Sequence, residues 1–322
     1  MIQPLRVSDG SSPGDVRNVG VIGTGTMGAA MVRRLLQAGH EVYIHDRRRS
    51  VMETLGAEGA KPVDSVAELS KHCRVVLTSL PGPAELEAVS DELLAAIQPS
   101  DVHVGHSTVS IECAQRVEAR TRAAGGMFLD APVSGGPMGV AAGTLSIMAS
   151  GDSTALEAAR PFLKAYAGTI FELGQTAGIG TLAKLVNNAI FLCSGLVHQE
   201  AVVLATKAGM DASVVDSVLG ASSASLYLGL AGPTLSRDWD HDFYSVGLAE
   251  KDVALALDAG RSLAVPMPVI SAAHQHYLRA RALGLTHKVC FATLAAVEQA
   301  AGVTVPARPA PANHPTTQKD DR

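Results

Sequence analysis

The chain has 322 residues, 47% of them hydrophobic, and a net charge of -5 at pH 7. That length exceeds one typical domain and the apolar content can bury a sizeable core, so two domains are expected. The mildly acidic balance speaks against a nucleic-acid partner held by a basic surface. Cys73, Cys113, Cys193 and Cys290 form neither a C-x-x-C pair nor a Cys/His cluster, which favours reduced thiols in a cytoplasmic setting over a disulfide frame or a zinc site.

Residues 1–16, with Pro4, Gly10, Ser11, Ser12, Pro13 and Gly14, have no apolar signal core and read as a flexible leader. No run is expected to reach the length that spans a bilayer, so no membrane partner is expected either. Residues 18–22 (NVGVI) are a short apolar strand that runs into Gly23, Thr24, Gly25, Thr26, Met27 and Gly28, followed by an amphipathic segment over 29–38. This is G-x-G-x-x-G between a strand and a helix. Gly23 allows a tight turn, Gly25 lets the backbone approach a pyrophosphate, and Gly28 lets helix and strand pack closely.

A second strand, 41–45, ends in Asp46, about twenty residues beyond the glycines, where an acid accepts the ribose hydroxyls of NAD. Asp46 is followed by Arg47, Arg48 and Arg49. Guanidinium groups there attract the 2'-phosphate of NADP or stack on adenine, and equally suit a solvated loop. The acid at the strand end favours NAD, with NADP left open.

Strand and helix then alternate: strand 74–79, the Leu80-Pro81 turn, helix 84–97 and strand 102–105. The pattern predicts an α/β class fold, a Rossmann-type, doubly wound sheet with ligands over the carboxyl ends of its strands. Thr108 stands at one such end; it suits a hydrogen bond near a nicotinamide or the N-cap of the helix that follows. Strand 127–130 leads into Asp130-Ala131-Pro132-Val133-Ser134-Gly135-Gly136-Pro137. Ser134 with Gly135 and Gly136 can turn successive N–H groups toward a carboxylate, or can be an ordinary Gly-Pro turn. Strand 144–149, helix 154–165 and strand 169–172 complete a dinucleotide-binding domain over 17–176.

Residues 178–200, GIGTLAKLVNNAIFLCSGLVHQE, begin a long, mostly buried helix. Lys184 and Asn188 are four apart and share one face of it. Alone, that pairing describes a snorkelling lysine and a capping or core-satisfied asparagine far more often than it describes a site. Strand signals nearly vanish beyond it. Helices are expected over 181–208, 212–219, within 223–235, and over 248–261, 266–283 and 289–300, making an all-α C-terminal domain, 177–302, joined through the long helix. Lys251 and Asp252 are expected at a helix start, and 303–322, rich in Pro, Ala and Thr, as a disordered tail.

These motifs resemble the beta-hydroxyacid dehydrogenase family, the group that includes 3-hydroxyisobutyrate dehydrogenase and tartronate semialdehyde reductase. The resemblance covers about 18–302 and rests on four motifs in order: the Gly23–Gly28 fingerprint, DAPVSGG from Asp130, G-x-G-x-x-x-K-x-x-N-N from Gly178, and the Lys251-Asp252 pair. It implies that Lys184 is catalytic and that Ser134, Gly135, Gly136 and Asn188 hold a small carboxylic-acid substrate. It also implies that Lys251, Thr108, Leu80 and Pro81 touch the cofactor, and that copies pair through the helical domain as a homodimer or homotetramer. The chain departs from the pattern at His106, where the family commonly has an acid.

The implied chemistry interconverts a 3-hydroxy acid and its semialdehyde or keto acid. Hydride transfer leaves charge on the substrate oxygen, and Lys184 gives or takes the proton there. Burial beside a cofactor is expected to bring its pKa down from the free value of ~10.4. An imine reductase would share both domains but generally lacks the lysine. A non-catalytic dinucleotide-binding module would need neither Lys184 nor Ser134-Gly135-Gly136.

Overall fold

In the computed structural model, the described residues are 5–6, 18–222, 234–240 and 244–307. β1 (Leu5–Arg6) lies within the stretch expected to be a loose leader, and it pairs antiparallel with a sheet edge. β2 (Asn18–Ile22) is buried along nearly its whole length, as a strand covered on both faces must be. α1 (Thr26–Gln37) follows it and buries Met31, Val32 and Leu35 in one core with Val19, Val21, Val42 and Ile44. β3 (Glu41–His45), α2 (Arg49–Ala57), β4 (Lys61–Pro62), α3 (Val66–His72) and β5 (Val75–Thr78) come next. α4 (Pro83–Leu94), β6 (Val102–Gly105), α5 (Ile111–Ala123) and β7 (Met127–Asp130) repeat the alternation.

The parallel part of the sheet runs β4-β3-β2-β5-β6-β7. This is the doubly wound order in which direction reverses between the first strand and the fourth, opening a crevice at their carboxyl ends. Ile22 lies between His45 and Thr78 in register, so the Gly23 turn, Asp46 and Ser79 leave the sheet side by side. Beyond β7 the sheet ceases to be purely parallel. β8 (Val133–Ser134), α6 (Gly136–Ala142), β9 (Leu145–Gly151), α7 (Ser153–Leu163) and β10 (Ala167–Glu172) follow, and β9 runs antiparallel to both β7 and β8 while β10 is parallel to β9.

The second part is helical: α8 (Ile179–Lys207), α9 (Ala212–Gly220), α10 (Val246–Ser262), α11 (Pro268–Ala282), a 3-10 turn (Cys290–Thr293) and α12 (Leu294–Ala301). The chain divides into two compact units, Met1–Asn187 and Asn188–Arg322. The division falls inside α8 rather than at the turn before it. In the second unit Leu192 and Leu196 pack with Val246, Val253, Tyr277 and Phe291. Val202, Val203, Val215, Leu235, Leu294 and Val305 form another cluster. The helix expected within 223–235 falls mostly outside the described residues, as do 1–4 and 7–16 of the leader and 308–322 of the tail.

α8 corrects the expectation that no run reaches bilayer length. Its 29 residues, with a mean hydropathy of 1.5 over the most apolar window, would suffice by length and composition. Lys184, Asn187, Asn188, His198 and Gln199 interrupt the apolar run without lowering that average much. Asn188, His198 and Gln199 are buried in protein, whereas Val186, Ile190, Val197 and Leu204 are exposed, so α8 is not the mostly buried helix expected from its sequence.

Candidate active site

The Gly23–Gly28 turn has two crowded glycines and one open one. Gly23 sits at φ 84°, and a Cβ there would lie 2.4 Å from the Ser79 carbonyl oxygen. A Cβ on Gly28 would lie 2.0 Å from the carbonyl oxygen of Gly23. Both are therefore required by the fold itself. Gly25, the N-cap of α1, is in extended backbone, and the nearest atom a Cβ would meet is a guanidinium nitrogen of Arg48 at 3.6 Å. Among the described residues, no atom comes close enough to require a glycine at that position. The space fits a ligand that must approach the backbone at the start of α1, as a pyrophosphate does. Thr24 is buried in this turn, while Met27 is half-buried and Thr26 exposed on the first turn of α1.

Asp46 closes one side. Its Oδ2 accepts from the Thr24 backbone N–H at 2.8 Å and from the Thr24 hydroxyl at 3.1 Å. Its Oδ1 accepts from the Arg48 backbone N–H at 2.9 Å and from Arg48 Nε at 3.1 Å. Burial works against the charge, but the Arg48 guanidinium and backbone together with the Thr24 amide outweigh it and hold the carboxyl well below the usual range. Asp46 is thus a fixed anion beside the turn. The arginine that meets it is Arg48; Arg47 is exposed on the same loop.

On the other side of the switch point, Ser107 Oγ accepts from the Leu80 backbone N–H at 2.9 Å, tying the turn after β5 to the segment after β6. Leu80 is half-buried and Pro81 exposed. The N-cap of α5 is Ser110, whose hydroxyl accepts from Cys113 N at 3.1 Å. Thr108 is therefore not the cap, and it stands half-buried at the carboxyl end of β6. His106 lies under this wall, with Nδ1 2.6 Å from the Ala131 carbonyl oxygen and Nε2 2.8 Å from the Tyr166 hydroxyl. Burial pushes its pKa down to about 4 and that of neighbouring His103 to about 3, so both rings are neutral at pH 7.

Asp130, which ends β7, explains why two of the motifs occur together. Only 2% of it is exposed. Oδ2 accepts from Gly178 N at 2.8 Å, Thr181 N at 2.9 Å and Ser150 Oγ at 3.2 Å, and Oδ1 accepts from Thr181 Oγ1 at 2.8 Å. Burial pushes the carboxyl up, opposed by these donors. The first N–H groups of a helix lack partners within it, and an anion there also suits the helix dipole. Asp130 therefore fixes the start of α8, one turn ahead of Lys184. Gly180 permits the approach, since a Cβ on it would lie 2.2 Å from the Met148 carbonyl oxygen. Lys184 is half-buried on the first part of α8.

Ser134 ends β8, and Gly135 and Gly136 both take positive φ, 127° and 64°. Asn187 Nδ2 donates to Ser134 Oγ at 3.3 Å. Asn187 is not singled out by the sequence motifs, although a residue three after Lys184 lies on the same face as one four after it. Neither is Asp130 given a role by them, and the available signal is an acid that closes the apolar strand MFLD.

In the second unit, Asn188 is buried and its Nδ2 donates to Asp252 Oδ2 at 2.7 Å. The Tyr244 hydroxyl donates to the same oxygen. Lys251 Nζ is 2.6 Å from Asp252 Oδ1. Ser245 caps α10 by accepting from Leu248 N at 3.2 Å. Lys251 and Asp252 consequently lie in the second turn of α10 and not at its start.

A family model described as the NAD binding domain of 6-phosphogluconate dehydrogenase matches residues 18–174. Another, described as the NAD-binding of NADP-dependent 3-hydroxyisobutyrate dehydrogenase, matches 178–297. The mitochondrial 3-hydroxyisobutyrate dehydrogenase of Drosophila melanogaster is 31% identical over 287 residues, 86% of this chain and 88% of that protein. The chain belongs to the 3-hydroxyisobutyrate dehydrogenase family. Among other members, the L-threonate dehydrogenase of Cupriavidus necator is 32% identical over 273 residues, 83% of this chain and 92% of that one. The structure of the Mycobacterium tuberculosis 3-hydroxyisobutyrate dehydrogenase with L-serine superposes with a TM-score of 0.79 at 30% identity, covering 87% of this chain and 99% of that one.

Proposed function

We propose that this family member is an NAD(P)-dependent dehydrogenase that interconverts a small 3-hydroxy carboxylic acid and its semialdehyde or keto acid, with Lys184 as general acid and base. The observation that carries the reading is the Asp130 anchor, which joins the DAPVSGG strand to the helix start that presents Lys184. Relatives named for hydroxyisobutyrate and threonate, and one solved with serine, support a short hydroxy acid as substrate.

The Gly23–Gly28 turn would receive the pyrophosphate, with Leu80, Pro81, Thr108 and Lys251 also contacting the cofactor. When bound, its nicotinamide ring accepts or supplies a hydride. Lys184, as the ammonium, donates a proton to the substrate oxygen during reduction; as the neutral amine it takes the hydroxyl proton during oxidation. Ser134, Gly135 and Gly136 hold the substrate carboxylate, and Asn188 contacts the substrate. NAD is the preferred cofactor, because a 2'-phosphate would meet the ionised Asp46. An imine reductase is disfavoured by the lysine, and a non-catalytic module by the lysine and the Ser134 turn together.

Apolar side chains also lie exposed in rows, Ile190, Val197 and Leu204 on α8 and Val214 and Val218 on α9. Faces of that kind mark association surfaces, and we assign them to a homodimer or homotetramer working in the cytoplasm. The function is tested by mixing the purified protein with NAD or NADP and a panel of 3-hydroxyisobutyrate, L-serine and L-threonate while following NADH absorbance. Turnover of one of these, faster with NAD, is expected. An inert panel with both cofactors would overturn the reading.

A further inference from the structure

Asp252 is a buried carboxylate whose Oδ2 collects two hydrogen bonds, from α8 and from the segment that precedes α10, while Oδ1 forms an ion pair. Asn188 on α8 gives an amide N–H at 2.7 Å and Tyr244 gives its hydroxyl, and the Lys251 ammonium lies 2.6 Å from Oδ1 without hydrogen-bond geometry. Asn188 Nδ2 is also 3.5 Å from the Tyr244 hydroxyl. Only 2% of Asp252 and 4% of Asn188 are exposed, so bulk solvent screens this cluster little. Burial first and the Asp252 charge second push the Tyr244 phenol well above its ordinary pKa, and it stays a protonated donor.

The two ends of an asparagine amide differ chemically, and its neighbours decide which way it faces. A carboxylate paired with an ammonium only accepts hydrogen bonds. The Asn188 NH2 must therefore face Asp252, which turns Oδ1 away from it. We propose that Asp252, seated by Tyr244, is a positioning residue for the reaction. It fixes the Asn188 amide so that the carbonyl oxygen is what meets a substrate hydroxyl. This rests on the role given above to Asn188.

The sequence offers only part of this arrangement. Asp252 is adjacent to Lys251, but its amide partner is 64 residues earlier. Tyr244 supplies a hydroxyl that Phe would lack, and without it Asp252 Oδ2 keeps only the amide.

The test is a double-mutant cycle in the full-length enzyme, N188A against D252N, read as kcat/KM with the hydroxy acid that the panel identifies. Asn at 252 can offer either end of its own amide, so it no longer dictates how Asn188 faces. N188A and D252N alone are each expected to lose roughly 10-fold or more in kcat/KM, the factor for one buried hydrogen bond. D252N placed on N188A should then lose less than about 3-fold further, because it acts through an amide already removed. Tyr244→Phe, which keeps the ring packing, should raise KM for the acid about 3-fold with kcat nearly unchanged.

If instead the D252N loss is undiminished in the N188A background, Asp252 does not act through the amide and the proposal is overturned, while the dehydrogenase reading stands. If N188A alone leaves kcat/KM unchanged, the role of Asn188 fails, and the proposal with it. Should D252N fold poorly, Tyr244→Phe decides the question, since an unchanged KM contradicts the proposal.

Discussion

Replacing Asp130 tests how α8 is held. Asp130→Ala removes the acceptor for two backbone N–H groups and two hydroxyls, from Gly178, Thr181 and Ser150, at a position only 2% exposed. Each unmet buried group costs about 1–3 kcal/mol. Relief of the carboxylate's own desolvation offsets part of that sum, so the net loss is roughly 3–5 kcal/mol, the usual scale for removing one side of a buried charged network. Asp130→Asn keeps the shape and one good acceptor but loses the charge at the helix start, costing about 1–2 kcal/mol. At ~2–4 °C per kcal/mol for a domain of this size, the first thermal transition should fall by roughly 6–20 °C for Ala and about 2–8 °C for Asn. In the Asn variant, turnover should fall further than NADH affinity, because Lys184 moves while the Gly23–Gly28 turn belongs to a different strand. An Ala variant that melts within about 1 °C of the parent would refute the anchoring argument.

The buried neutral histidines set an acid limit. His103 and His106 have folded pKa values pushed down to about 3 and about 4, below the free value of ~6.5. Above pH ~6.5 they therefore cost nothing; as pH falls from there toward 4 the unfolded chain takes up protons first, and stability drops by up to about 1.4 kcal/mol per pH unit for each ring. Melting temperatures taken from pH 7 to pH 5 should decline, and less so in His106→Gln; a flat profile contradicts this. Gly25→Ala should leave the melting temperature unchanged, because its Cβ meets nothing closer than 3.6 Å, yet weaken NADH binding by about 10-fold or more in a fluorescence titration. Equal affinity would mean that no ligand occupies that space. Leu204 is 72% exposed and Val197 63%; aspartate at both should lower the mass measured by light scattering toward that of one chain, and an unchanged mass would show that this face is not the interface.

Much of the first half was legible because parallel strands buried on both faces read as short apolar runs. Asn18–Ile22, Glu41–His45 and Val102–Gly105 match their sequence readings residue for residue. The stretch between Arg49 and Arg74 carries no element in the sequence reading. Its strand, Lys61–Pro62, is two exposed residues at the sheet edge, too short and too polar to show a period. Gly136-Pro137 reads as a turn, whereas α6 starts there because proline is tolerated in a first helical turn. Strand direction is also invisible to periodicity, and β9 turns back against β7.

The site divides in the same way. The glycine turn and Asp46 are local, so spacing reveals them. Asp130 with Thr181, and Asn188 with Asp252, are brought together by the fold across 51 and 64 residues. Such pairs leave no local trace beyond an acid or an amide where an apolar residue would be expected.

The proton role of Lys184 is tested most directly by Lys184→Ala, assayed for NADH binding and for turnover of the best hydroxy acid in the same preparation. NADH affinity should persist while kcat falls roughly 10²- to 10⁴-fold, the scale of general acid–base catalysis. In the parent enzyme, the pH profile of the oxidation should carry a limb that the variant lacks. A variant that keeps kcat within a few-fold of the parent, with the limb still present, would contradict the account.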